Sequence, residues 1–159
     1  MYIERYWGNY IGGTDDSLIL LEYLIQKQKE EIPLSEIFAD TGLDKQNWNF
    51  RETEPELAYQ APDGCEYAFC YGIDLITDLA ALMLECKVSG RVSLSNLLNN
   101  EEGHAVRITA TPEEHRAMNK VLADFFADPL AYDLHEMVPD EDMMELAQDC
   151  ENLRKELYE

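Results

Sequence analysis

Ile11 to Leu20, read as IGGTDDSLIL, is the first stretch whose residue types could do chemistry. Two glycines ahead of a helix start can cradle a phosphate, and an adjacent Asp pair can hold a metal. A phosphate loop needs a strand before it, a fixed glycine pattern and, in the P-loop, a Lys followed by Ser or Thr. Here Thr14, Asp15 and Asp16 follow the glycines. Two carboxylates at a helix N-terminus compete with a phosphate for the same N–H groups and repel it. A metal would need further oxygen ligands, and nothing in the sequence designates them. What remains is a capped helix start. The Thr14 hydroxyl can accept from free backbone N–H groups, and Asp15 and Asp16 suit the positive end of the helix dipole.

The other reactive side chains are as sparse. Cys65 and Cys70 stand five apart, with no second cysteine pair and no nearby histidine, a poor zinc pattern. Cys86 and Cys150 complete the set of four and read as small buried apolar groups. His104, His115 and His135 fall in no recognisable metal or triad pattern. No nucleophile elbow, Rossmann fingerprint or nucleotide loop occurs. Carboxylates are so frequent that no pair stands out as general acid and base. No cofactor and no metal is expected.

Two acidic clusters do stand out. Glu52, Glu54 and Glu56 follow Trp48 and Phe50 in a stretch rich in turn residues. Carboxylates beside exposed aromatics are what a surface for a basic protein would present; a solvated loop with its aromatics in the core is the plainer alternative. Asp140, Glu141 and Asp142 open the last helix, where the helix dipole alone could account for them. These eight residues are the candidate partner-binding set.

The elements that must position them follow from periodicity and caps. Residues 2–7, aromatic and loosely alternating, predict a first strand. Asp15 to Gln28 predicts a helix with Lys27 and Lys29 at its negative end and Leu18, Leu21 and Ile25 on one face. A short helix runs from Pro33 to Asp40 and stops at Gly42. Ala61-Pro62-Asp63-Gly64 is a turn, and Glu66 to Tyr71 a strand. Asp74 to Cys86 predicts a core helix ended by Ser89-Gly90. RVSLSNLL and HAVRITAT, residues 91–98 and 104–111, predict an antiparallel hairpin. Thr111-Pro112 caps a helix whose stripe is Met118, Val121, Leu122, Phe125 and Phe126, broken by Pro129. A last helix runs from Pro139 to Leu157 with the seam Met143, Leu146, Cys150, Leu153 and Leu157, packed on its own domain. The expectation is an α+β fold, one acidic globular domain over residues 1–159, with four to five helices and a small antiparallel sheet; parallel strands would make it α/β instead.

The length of 159 residues fits one core, and an apolar fraction of 46% is too high for a disordered chain. The net charge of −21 dominates everything else. Asp124 to Glu159 alone holds twelve acidic and two basic residues, ten of those net charges. Such a field repels nucleic acid and anionic membrane and attracts cations or a basic protein. The first ten residues show no basic region followed by an apolar stretch, so no secretory signal is expected. No apolar run approaches the roughly 20 residues of a membrane span. A cytoplasmic protein with reduced thiols follows.

Residues 6–24, YWGNYIGGTDDSLILLEYL, with their WG and GG-x-DDSL pattern, resemble the immunity proteins of bacterial polymorphic-toxin and contact-dependent inhibition systems. GIDLITDLAALMLE, residues 72–85, is a weaker echo. The resemblance carries over no binding residue. It implies an inhibitory binding protein, not an enzyme, which neutralises one cognate toxin domain by tight one-to-one association. A nuclease toxin would offer the basic surface that an acidic partner can occupy in place of phosphate. From the residues alone, a metal- or small-molecule-dependent enzyme of unrecognised type and an acidic adaptor stay open beside it.

Overall fold

The computed structural model describes all residues, 1–159. Six helices and two small sheets make an α+β architecture. Helix α3, Gly72–Ser89, is the centre, with every residue from Gly72 to Glu85 buried. A helix apolar on all sides must be covered on all sides. Helix α1 (Asp15–Lys27), α5 (Pro112–Ala127), α6 (Asp140–Tyr158) and the larger sheet supply that cover.

The helix boundaries follow their local chemistry. Thr14 accepts from the Ser17 N–H at 3.2 Å, and Thr111 accepts from the Glu114 N–H at 3.1 Å while the Glu114 carboxylate returns to the Thr111 N–H at 2.8 Å. Helix α2, Leu34–Thr41, ends where Gly42 turns left-handed at φ +87°, a conformation glycine adopts without a Cβ clash. The seam of α6 is buried throughout: Met143, Leu146, Cys150, Leu153 and Leu157 all face the core.

The sheets differ from expectation in one respect. Strand β1 (Glu31–Pro33) lies parallel to β5 (Ala105–Thr109), with Ile32 opposite Ile108. Strand β4 (Val92–Ser93) pairs antiparallel with β5, with Val92 opposite Val106. The expected hairpin is therefore present but two residues deep, and the sheet, ordered β1-β5-β4, is mixed. The second sheet is an antiparallel hairpin of β2 (Ala58–Gln60) and β3 (Glu66–Ala68), closed by the Asp63-Gly64 turn.

Three further differences have physical causes. Residues 2–5 form a 3₁₀ turn, not a strand. The Ile3 N–H donates to the buried Glu85 carboxylate at 2.9 Å, so its backbone has a partner without a neighbouring strand. Residues 94–98 form helix α4, because the Ser93 hydroxyl caps the Asn96 N–H and the leucines at 94, 97 and 98 repeat at helical spacing. Helix α1 is rotated from the expected face: Leu20, Leu21, Tyr23 and Leu24 are buried, while Leu18 is 48% exposed. Asp16 and Ser17 set that rotation through the bonds described next.

Candidate partner-binding site

The Gly12 to Ser17 stretch is a structural latch. The Gly12 N–H donates to Asp78 Oδ1 at 2.7 Å, and the Ser17 hydroxyl donates to Asp78 Oδ2 at 2.6 Å. Asp16 accepts from the backbone N–H groups of Cys70 at 2.9 Å and Tyr71 at 3.0 Å. Gly12 sits at φ +78° under the Trp7 ring, where a Cβ would lie 2.0 Å from Cδ2 of the indole. Asp78 is fully buried, and burial pushes its carboxyl up to about 7. Asp74, one turn earlier on α3, is pushed up to about 8, first by burial and then by Asp78, Asp16 and Asp133. All three carboxyl groups are sealed in the core, and Asp16 and Asp78 hold the chain together there. No group of three or more His, Cys, Asp or Glu is arranged to hold a metal ion.

The loop after α2 carries the first candidate cluster. It is organised by a residue the sequence did not single out, the buried Gln46. Its amide donates to the carbonyls of Asn49 at 3.0 Å and Glu52 at 2.6 Å, and its oxygen accepts from the Glu54 N–H at 2.6 Å. One side chain thereby satisfies three loop groups. Asn47 and Trp48 both adopt left-handed backbone, at φ +52° and +59°. A bulky residue holds that conformation only under constraint. The constraint here is aromatic packing: the Trp48 ring lies 4.8 Å from Phe38 and edge-on to Phe50 at 6.1 Å.

Only part of this cluster faces water. Phe50 is 1% exposed and belongs to the core, so it offers no ring to a partner. Trp48 is half-buried, and its outer part lines a cleft of about 430 Å³ with Arg51, Lys120, Asp124 and Tyr132. Glu52 and Glu54 are exposed, and Glu56 is exposed but paired with Lys45 at 2.9 Å.

The second cluster is brought towards the first by residues 128–135. Arg51 pairs with Asp128 at 3.4 Å, its carbonyl accepts from the Asp133 N–H at 2.8 Å, and the Thr53 N–H donates to Asp133 at 2.9 Å. His135 then joins the same segment to α6: one ring nitrogen contacts the Leu130 carbonyl at 3.2 Å and the other Asp140 at 2.5 Å. Asp140 and Glu141 are exposed, whereas Asp142 turns inward to accept from the Tyr10 hydroxyl at 2.9 Å.

Residues 126–144, from the end of α5 into α6, expose apolar side chains that the sequence patterns did not mark for the surface. Met137 is 73% exposed, and Phe126, Leu130 and Met144 are also exposed. Phe126 was expected in the α5 stripe, but Phe125 takes the inward place against Tyr132, at 4.9 Å. Met144 is turned about 100° from the seam residue Met143 and is 55% exposed. Phe126, Leu130, Met137 and Met144 are thus large exposed apolar side chains in a part of the chain rich in exposed carboxylates.

No helix is long and apolar enough to cross a membrane. The family model described as Immunity protein 68 matches residues 2–157. No curated protein and no solved structure matches the chain.

Proposed function

The chain belongs to the Immunity protein 68 family, and we propose that it neutralises a cognate toxin by binding it one-to-one through exposed side chains that include Trp48, Phe126, Leu130, Met137 and Met144. The family membership supports toxin neutralisation; the face and the character of the toxin are our reading. The observation that carries it is Met137, 73% exposed among carboxylates on a segment pinned at both ends. Large apolar side chains grouped in water are unfavourable, and such groupings mark interaction surfaces. Methionine adapts its shape to a partner surface.

The mechanism has two parts. The −21 net charge raises the encounter rate with a basic domain. Glu52, Glu54, Asp140 and Glu141 are exposed and can meet its cations at the rim. The methionines and the Trp48 ring then exclude water and slow dissociation. This reading is of a binding protein working in the cytoplasm, with no catalytic step and no cofactor. A nuclease is the toxin class whose own basic surface fits it best.

The test is protection of cells expressing the toxin encoded beside this gene. Met137→Asp with Met144→Asp abolishes protection while the thermal melt stays within about 4 °C of wild type, since exposed substitutions change stability by no more than about 0.5 kcal/mol each. Glu52→Lys with Glu141→Lys lowers the association rate several-fold and flattens its salt dependence. Full protection by the double methionine variant would show that the toxin binds elsewhere.

A further inference from the structure

A second cleft, of about 380 Å³, opens where α3, β5, α5 and the end of α6 meet. Its floor is apolar: Met83, Cys86, Ile108 and Leu157. Its other lining side chains are Lys87, Arg107, His115 and Tyr158. Three cationic or proton-binding groups converge here in a chain where 33 carboxylates face 12 Lys and Arg.

None of the three has a carboxylate partner. Lys87 donates to the terminal carbonyls of α6, Glu156 at 2.9 Å and Leu157 at 2.8 Å, which answers the negative end of that helix. His115 meets the Tyr158 hydroxyl through Nδ1 at 3.0 Å, and its Nε2 has no partner. The Arg107 guanidinium is exposed and makes no hydrogen bond or ion pair, although its strand neighbour in register is Glu31. Arg107 brings a planar fork of donors to a cleft whose lining is otherwise largely apolar, a combination that fits one carboxylate on an apolar stem. The field of the whole chain selects further. A phosphate or other multiply charged anion must approach against −21, whereas a monoanion with an apolar body meets less repulsion and gains by burying that body.

We propose that this cleft binds a small organic monocarboxylate, with Arg107 on the carboxylate, His115 Nε2 as second donor, and the stem against Ile108, Met83 and Leu157. The site is separate from the toxin face. Leu157 lies thirteen residues beyond Met144 on α6, about 20 Å along the axis at 1.5 Å per residue. Its failure and that of the toxin reading are therefore read in different assays.

The experiment is an NMR titration of the whole protein with hexanoate, 1-hexanol and inorganic phosphate at constant ionic strength, followed at the Ile108 methyls and the His115 ring. Hexanoate shifts both saturably in the millimolar range. Hexanol and phosphate each bind about tenfold or more weaker. Arg107→Gln weakens hexanoate by about tenfold or more, the effect of losing one charge-assisted hydrogen bond. Arg107→Lys, which keeps the charge and loses the fork, falls between the two and serves if the glutamine variant is unstable. An acetylated dipeptide ending in a free leucine carboxylate, run beside its amide, separates a chain terminus from a free acid as the source: whichever carboxylate binds tighter names it. No saturable shift with any carboxylate, phosphate equal to hexanoate, or unchanged binding in the Arg107 variants overturns the proposal.

Discussion

Replacing Asp74 by asparagine changes how stability depends on pH, and the size of the change follows from its surroundings. Asp74 is 3% exposed, and its Oδ1 has no hydrogen-bond partner. Burial is the main cause that lifts its carboxyl from 3.8 to about 8, with the nearby carboxylates Asp78, Asp16 and Asp133 adding to it. A folded value above the unfolded one means that the folded chain holds its proton more tightly. The stability tied to that proton is fully present below about pH 4 and is lost as pH rises towards 8. Between pH 5 and 7 the group stays protonated in the folded chain and is ionised in the unfolded one. The slope is then about 1.36 kcal/mol per pH unit, or about 2.7 kcal/mol over the interval. Asparagine keeps the shape and has no proton to lose. Urea denaturation of both proteins at pH 5, 6 and 7 measures the difference directly. The variant gains about 2–3 kcal/mol on wild type between the two ends, whatever its absolute level. Stability curves that run parallel within about 0.5 kcal/mol would refute the reasoning, because Asp74 would then titrate alike in both states.

Two other substitutions test the packing. Gly12→Ala places a Cβ against the Trp7 ring at a positive φ, and it destabilises by at least about 2 kcal/mol in thermal or urea melts. Leu18→Glu changes stability by no more than about 0.5 kcal/mol, whereas Leu21→Ala, on the buried side of α1, costs about 2–5 kcal/mol; equal losses would mean that the helix is rotated the other way.

What was legible in the sequence was what short-range chemistry decides. Thr14, Thr111-Pro112, Gly42 and Gly90 mark helix ends through bonds to residues at most four away, and the structure places the ends there. Strands depend on distant partners. Glu31 to Pro33 pairs with residues more than seventy positions on, and three residues carry no periodicity to announce it. Residues 2–7 have strand composition but no strand to join, so they close into a turn whose phenols, Tyr2 and Tyr6, bond Glu156. Apolar spacing places Leu18 on the inner face of α1, but two polar residues, Asp16 and Ser17, have the fixed partners that decide the rotation. The candidate surface divides in the same way. Exposure of Asp140 and Glu141 follows from charge alone. The burial of Phe50 does not, since an aromatic beside glutamates reads alike in a core and at an interface; Gln46 and Phe38 decide it.

The two stretches that carry the likeness to immunity proteins are bonded to each other. Gly12 and Ser17, in the first, both donate to Asp78, in the second, and Asp16 holds the backbone just before it. Each bond is buried or half-buried, so losing one leaves an unpaired charge or N–H in the core, at about 1–3 kcal/mol or more. Those residues specify the fold. Met137, Met144 and Glu141 make no such bond, and changing them leaves the latch intact. A chain built this way can change the surface it offers to a toxin without disturbing the contacts that keep it folded. Substitutions at Gly12, Asp16, Ser17 or Asp78 are therefore expected to lower stability, and a loss of protection in such variants has to be read together with their melts.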